Sequence, residues 1–155
     1  MNSRARRPIA GLALTSLMAC APSVPQPAAF DAANEPCRYC RMVGSDGRFA
    51  AELVAPREEP VWFDDIGCLA NYLATAASLA PGTVAYVADH RTREWVPAAT
   101  AVYAMDDSIA TPMNSHLVAH ASTASRAADE DVRATGAIPI DRVFAPGRLP
   151  GGTPR

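Results

Sequence analysis

Two cysteines and a methionine near the start of the chain form the pattern with the clearest chemistry. Cys37 and Cys40 are separated by two residues, and Met42 follows two positions later. Two thiolates at this spacing can close on one metal ion, and the thioether can join them. Soft sulfur ligands select Cu(I), whereas zinc prefers four ligands drawn from Cys, His and carboxylate. The pattern therefore favours a Cu(I) site. A Cys37–Cys40 disulfide with Met42 in the core is the alternative.

A third thiol, Cys68, lies in the first turn of a predicted helix and away from the apolar face of that helix. A helix N-terminus lowers the pKa of a thiol, but the preceding Asp64 and Asp65 oppose this effect. Cys68 is therefore a candidate metal ligand or resolving thiol, and a small buried side chain is an equal alternative. An odd number of thiols beyond Cys20 favours a free or metal-bound cysteine in an oxidising compartment.

The segment Thr111-Pro112-Met113-Asn114-Ser115-His116 is a second source of candidate ligands. Its proline stiffens a loop that enters a predicted strand, so Met113 and His116 can present a sulfur and an imidazole together. A place for Met113 in the core is the alternative. We expect His120 on the same strand face as His116. His90 follows an aspartate in a predicted turn, and we expect it in solvent.

The N-terminus has the composition of a secretory signal peptide. Three arginines lie among the first seven residues, and an apolar run follows from Ile9 to Ala19. This run is too short to span a bilayer comfortably, which takes ~20 apolar residues. It ends Leu17-Met18-Ala19-Cys20, which resembles a bacterial lipobox. We predict a lipoprotein signal peptide over residues 1–19 and lipidation of Cys20, with an ordinary signal peptide or a short anchor as the alternative.

Composition divides the rest of the chain into three parts. Residues 20–35 are rich in Ala and Pro and predict a tether. Residues 36–144 hold the candidate ligands in one predicted domain, and residues 145–155, rich in Pro and Gly, predict a disordered tail. The chain has 14 Lys plus Arg and 16 Asp plus Glu. Without the three arginines of the signal peptide the balance is 11 to 16, a net charge near −5, which argues against nucleic acid as a partner.

The hydrophobic pattern predicts an α+β fold in which a strand-strand-helix-strand (ββαβ) order occurs twice. The first unit is predicted as strands 47–55 and 61–63, a helix capped by Asp64-Asp65 and running from Ile66 through Ala77, and strand 83–88. The second is predicted as strands 99–105 and 116–120, a helix from Ser122 or Thr123 to about Arg133, and strand 138–144. The halves share a pattern rather than sequence identity.

Several of these motifs together resemble the NosL family of lipoprotein accessory factors of nitrous oxide reductase. They are the lipobox at Cys20, Cys37-x-x-Cys40-x-Met42, Phe63-Asp64-Asp65-Ile66-Gly67-Cys68 and Thr111-Pro112-Met113. The resemblance implies two ββαβ units related to organomercurial lyase. It also implies a Cu(I) chaperone, not an enzyme, with Cys40, Met42 and Met113 as ligands and Cys37 next. Two positions depart from the family pattern, because Arg41 and Asn114 each stand where the family has glycine.

The resemblance also implies partners and a place in the cell. A NosL-like protein acts in denitrification on the periplasmic side, delivers copper to a cuproenzyme client, nitrous oxide reductase, and works alongside an ABC-type membrane transporter. Ala21 does not resemble the common inner-membrane retention signal, so the outer membrane is weakly preferred for the lipid anchor. His116 and Cys68 are candidate ligands from the residues alone.

Two other functions compete with copper delivery. The first is a thiol-disulfide oxidoreductase that uses Cys37 and Cys40, with Cys68 as the resolving thiol. Its motif lacks the strand-then-helix setting of a thioredoxin-like site. The second is a structural zinc site built from the three cysteines and a histidine, in which Met42 and Met113 take no part.

Overall fold

The computed structural model of the protein describes residues 24–29, 31, 34–43, 46–132 and 134–151. The predicted signal peptide and Cys20 lie outside the described residues. The elements, in chain order, are a 3-10 helix Gly47–Phe49, strands β1 Ala51–Val54 and β2 Val61–Phe63, helix α1 Ile66–Thr75, strands β3 Val84–Ala88, β4 Trp95–Pro97, β5 Val102–Met105 and β6 Leu117–His120, helix α2 Thr123–Ala127, strand β7 Ala137–Ile138 and a 3-10 helix Ile140–Arg142. None of the described helices is long and apolar enough to cross a membrane.

Two antiparallel sheets and few helices confirm the predicted α+β class. The first sheet has the strand order β2-β1-β3-β4, and the second has the order β6-β5-β7. A parallel bridge between Asp89 and Ala119 joins the end of β3 to β6. Buried side chains from β1, β2, α1, β3, β5 and β6 share one hydrophobic cluster. The proposed structural repeat of the two halves stays a prediction.

Helix α1 begins where the sequence predicts and ends earlier. Asp65 is the N-cap, and its carboxylate accepts a hydrogen bond from the Gly67 backbone N–H at 2.6 Å. Ile66, Leu69 and Leu73 are buried on the apolar face. The helix ends at Thr75 because Ala76 turns to an extended backbone, which lets Leu79 pack against the core. Tertiary packing thus overrides the high helix propensity of alanine.

Three predicted elements differ from the structure in length or type. The strand predicted over residues 47–55 starts with a 3-10 turn, because the Asp46 side chain accepts a hydrogen bond from the Arg48 N–H and caps it. Helix α2 ends at Ala127 rather than near Arg133, because the chain turns to bring the Asp129 carboxylate to two histidines. The predicted last strand is short and gives way to a 3-10 turn that buries Phe144. Strand β4 was not predicted.

Both flanking segments contact the domain within the described residues. In the predicted tether, the Pro25 carbonyl accepts a hydrogen bond from the Tyr86 hydroxyl at 2.7 Å. The Ala28 N–H donates to the buried carboxylate of Glu52 at 3.0 Å. In the segment predicted as a disordered tail, Leu149 packs against the core beside α1. Its apolar side chain is partly buried there, although the segment is rich in proline and glycine.

Candidate metal centre

Three cysteines and one aspartate come together at the N-terminal end of helix α1. The sulfurs of Cys37, Cys40 and Cys68 and one carboxylate oxygen of Asp64 all lie within 4.8 Å of one another. Cys37 and Cys68 are each 1% exposed, and Cys40 is half-buried. All three are free thiols, so the Cys37–Cys40 disulfide is not formed. Three sulfurs and a carboxylate at this spacing can hold one metal ion.

The Cys37–Met42 segment is folded into a tight turn over the helix. The Cys37 N–H donates to the Met42 carbonyl at 2.8 Å, and the Arg41 N–H donates to the Cys37 carbonyl at 3.0 Å. The turn is fastened to strand β2 by a hydrogen bond from the Arg38 N–H to the Trp62 carbonyl. Arg41 closes the turn with a φ of 67°, in the left-handed region that glycine adopts without steric cost. This conformation explains in physical terms why glycine suits the position.

Asp64 and Asp65 are neighbours with different partners. Asp65 caps the helix, whereas the oxygens of Asp64 lie 3.4 and 3.5 Å from the Cys40 sulfur, which donates to them. The predicted Asp64-Asp65 cap is formed by Asp65 alone, and Asp64 was not among the predicted site residues. Helical spacing carries no signal of this role, because Asp64 precedes the extended N-cap residue Asp65 and lies outside the helix.

Contacts among these groups shift the thiol pKa values in opposite directions. The Cys68 thiol donates a hydrogen bond to Cys37, and this lowers the pKa of Cys37 to about 6. The same contact raises the pKa of Cys68, and burial raises it further. Burial also raises the pKa of Cys40 to about 11, with its contacts to Cys37 and Asp64 acting in the same direction. These contacts therefore favour loss of the first proton at Cys37, because they lower its pKa and raise the pKa values of Cys40 and Cys68.

The loop that carries Met113 is attached to the same helix end. The second oxygen of Asp65 accepts a hydrogen bond from the Met113 N–H at 2.9 Å. Gly67 lets the loop approach, because a Cβ at this position would lie 2.6 Å from the Cβ of Ser115. Asn114 has a φ of 55°, in the left-handed region that asparagine adopts more readily than most residues. One aspartate thus connects the loop of Met113 to the helix that holds Cys68.

Two methionines near the cysteines are open to solvent. Met42 follows the cysteine turn and is 47% exposed, and Met113 is 41% exposed. Exposed thioethers can be reached by an incoming protein without unfolding of the domain. Their role as ligands stays a prediction.

His116 and His90 have surroundings that differ from those expected from the sequence. The His116 Nδ1 lies 2.8 Å from the Ile109 carbonyl, and His116 is not among the residues grouped around the cysteines. It has a φ of 58° and precedes β6, so the strand alternation expected to align it with His120 does not reach it. The expectation that His90 is in solvent is wrong. His90 is 3% exposed because its ring binds the buried Asp129 carboxylate.

Comparison with protein-family models identifies one match. The family model for NosL matches residues 27–136. This range contains the three thiols around Asp64, the Asp65 capping contact and the Met113 loop. Comparison with curated proteins gives no match, and comparison with solved structures gives none. Members of this family are accessory proteins in copper handling rather than known enzymes. Because the match covers more than half of the chain and includes the cysteine site, this protein belongs to the NosL family.

Proposed function

We propose that this protein binds Cu(I) through its cysteine and methionine sulfurs and delivers it for the maturation of a cuproenzyme. The observation that carries the proposal is the meeting of Cys37, Cys40 and Cys68 within 4.8 Å of one another, all as free thiols. Thiolate and thioether sulfur together favour a soft ion such as Cu(I) over harder metals. Family membership supports copper as the cargo.

Exposure divides the candidate ligands into two groups. Cys37 and Cys68 are buried, so they can retain the metal in a low-dielectric site. Met42 and Met113 are more than two-fifths exposed, and Cys40 is half-buried. A client protein can therefore replace the exposed ligands first and take the ion by stepwise exchange. Such an exchange suits a delivery protein better than a site closed on all sides.

The cell setting of the proposal follows from the N-terminus and the family. We propose a lipid anchor on Cys20 at the periplasmic face of a bacterial membrane, with the outer membrane preferred. The proposed client is nitrous oxide reductase, and an ABC-type transporter is a proposed partner. Residues 24–29 contact Glu52 and Tyr86, so the described part of the proposed tether lies against the first sheet.

A structural zinc site is the second candidate, because Asp64 completes a set of four donors with the three cysteines. Four ligands drawn from Cys, His and carboxylate are what structural zinc takes. In this case Met42 and Met113 contribute nothing. A thiol oxidoreductase is less well supported, since the two-residue cysteine spacing lies in a turn before β1 and not at a helix start, although the lowered pKa of Cys37 favours a reactive thiolate.

The methionines distinguish these functions in one set of variants of the full chain. Met42→Leu and Met113→Leu each remove a sulfur while keeping a side chain of similar size, and Met105→Leu is the control because Met105 is 43% exposed on β5. We expect the first two variants to weaken Cu(I) binding by at least about tenfold, equivalent to ~1.4 kcal/mol. Competition with a chromophoric Cu(I) chelator measures this.

Equal Cu(I) affinity in the wild type and in all three methionine variants would show that the thioethers are not Cu(I) ligands. Cys40→Ser in the same assay then decides whether the thiols bind Cu(I) alone. If this variant also binds Cu(I) as the wild type does, the proposed site is wrong.

A further inference from the structure

A second cluster of chemical groups lies away from the cysteines, where the two sheets join. His90 follows β3, His120 ends β6, and Asp129 follows α2. The His90 N–H of the backbone donates to the Ala119 carbonyl at 2.8 Å, which brings the two strand ends together. His90, His120 and Asp129 are 3%, 0% and 4% exposed. Three distant segments thus converge on one buried polar group.

Both imidazoles contact the same carboxylate oxygen. The His90 Nδ1 lies 2.7 Å from Asp129 Oδ2, and the His120 Nε2 lies 2.9 Å from that same atom. A carboxylate oxygen only accepts, so each of these ring nitrogens carries a proton. The opposite nitrogens, His90 Nε2 and His120 Nδ1, are buried and have no hydrogen-bond partner among the described residues. Buried polar atoms without partners are rare in proteins. Since neither nitrogen accepts a hydrogen bond from the described residues, each can take up the proton of its ring and leave the nitrogen beside Asp129 able to bind an ion.

We propose that His90, His120 and Asp129 form a second metal site, which takes a divalent ion of borderline softness such as Zn(II). One donor atom from each residue lies within 4.8 Å of the other two. Two imidazoles and one carboxylate are the three protein ligands of many open zinc sites, and a water molecule supplies the fourth. This set contains no sulfur, so the site differs in chemistry from the cysteine centre.

The distances between the donor atoms would need to change only slightly to accommodate a metal ion. Donor atoms ~2.0–2.1 Å from a tetrahedral zinc ion lie ~3.3 Å apart, compared with 2.7 and 2.9 Å in the hydrogen-bonded cluster. Binding shifts each histidine proton from the nitrogen that faces Asp129 to the opposite nitrogen. The imidazoles stay neutral and Asp129 stays a carboxylate. The metal takes the place of the two N–H protons between them.

The surroundings supply both support and access. The other Asp129 oxygen accepts a hydrogen bond from the Asp131 N–H at 3.1 Å, which orients the carboxylate as outer groups do in known metal sites. Beside His90 lies a cavity of about 320 Å³, lined in part by Arg48, Ser108 and Asp131. This space can hold water that accepts from His90 Nε2 once that nitrogen carries the proton.

The histidine signals of the full chain test the proposal without any variant. The chain has three histidines, so the nitrogen NMR spectrum of the imidazoles contains one control, His116, within the same molecule. We expect Zn(II) to shift the ring signals of His90 and His120 and to leave those of His116 in place. Zinc bound only at the cysteines has no imidazole ligand and therefore leaves the ring signals of all three histidines in place. Unchanged His90 and His120 signals at saturating Zn(II) would reduce the cluster to a hydrogen-bonded network and overturn the proposal.

Affinity provides the second measurement. His120→Gln is compared with His116→Gln in a Zn(II) competition titration, with the cysteines first occupied by Cu(I). We expect His120→Gln to weaken the zinc affinity by more than ~100-fold, beyond the loss caused by removing an outer partner. We expect His116→Gln to bind as the wild type does. Equal zinc affinity in the two variants would contradict the assignment.

Discussion

Replacing Gly67 by alanine adds one methyl group at the contact between helix α1 and the Met113 loop. The added Cβ would lie 2.6 Å from the Cβ of Ser115 and 3.0 Å from an Asp65 oxygen. Carbon atoms do not approach this closely, so the loop or the helix must move. We expect the loop to move, because the helix is fixed by its buried apolar face.

Two opposing effects set the magnitude. Alanine favours the helix over glycine by at most ~1 kcal/mol, and overfilling a packed contact costs ~1–3 kcal/mol. The 2.6 Å approach places the cost in the upper part of this range, about 2–3 kcal/mol, so we expect the Gly67→Ala protein to lose a net ~1–2 kcal/mol of unfolding free energy. This loss lowers Tm by at least ~2 °C. If Met113 is a copper ligand, its displacement also weakens Cu(I) binding by at least about tenfold.

Chemical denaturation and chelator competition measure the two effects in the same protein. Gly136→Ala is the matched control, since a Cβ at Gly136 meets no atom within 4 Å. We expect this control to leave Cu(I) affinity unchanged and to keep or slightly raise stability, because alanine has less chain entropy to lose on folding than glycine. A Gly67→Ala protein with lower stability but normal Cu(I) affinity would refute the link between the loop and the metal. Normal stability would refute the contact with Ser115.

Three further predictions concern single side chains. Arg41→Gly removes the strain of a non-glycine residue in the left-handed region, ~1–2 kcal/mol, but glycine loses more chain entropy on folding, which costs ~0.5–1 kcal/mol. We therefore expect urea unfolding to show unchanged or slightly higher stability. A clear loss of stability would contradict the turn geometry. Asp65→Asn replaces one carboxylate oxygen by an amide N–H, which then faces the backbone N–H of Gly67 or of Met113. We expect thermal unfolding to show a loss of about 1.5–3 kcal/mol in stability. Unchanged stability would contradict these two contacts. Burial raises the pKa of Glu52 from 4.5 to about 7, so its contribution to stability is full below pH 4.5 and is lost as pH rises through 7. The stability of Glu52→Gln relative to the wild type should therefore rise over this interval by at most ~3 kcal/mol, and a constant difference would contradict the buried proton.

Local patterns predicted the parts of the fold that depend on local chemistry. Helix α1 was predicted because apolar residues recur at helical spacing after a capping aspartate, and Asp65 does cap it. The short α2 and the 3-10 turn around Ile140 were not predicted, because contacts distant in sequence decide them. Asp129 is drawn out of the expected helix by two histidines, one of them 39 residues away.

The candidate site shows the same division. The cysteine spacing and the methionine loop identified the segments, but no pattern placed Cys68 against Cys37 or Asp64 against Cys40. Cys68, predicted to lie off the main apolar face, is buried and belongs to the hydrophobic cluster that also contains Cys37. The His90 contact was missed since a histidine in a turn carries no sign of a partner on another sheet.

The most direct test of the central claim is the metal preference of the reduced full chain under anaerobic conditions. Cu(I) and Zn(II) are titrated in parallel, each against a chromophoric chelator, and binding at the cysteines is followed by loss of reactive thiol. Copper delivery predicts tight Cu(I) binding near one equivalent that protects Cys37, Cys40 and Cys68, with zinc displaced from these thiols by copper. Thiols that zinc protects and Cu(I) does not would contradict it and identify the centre as structural zinc.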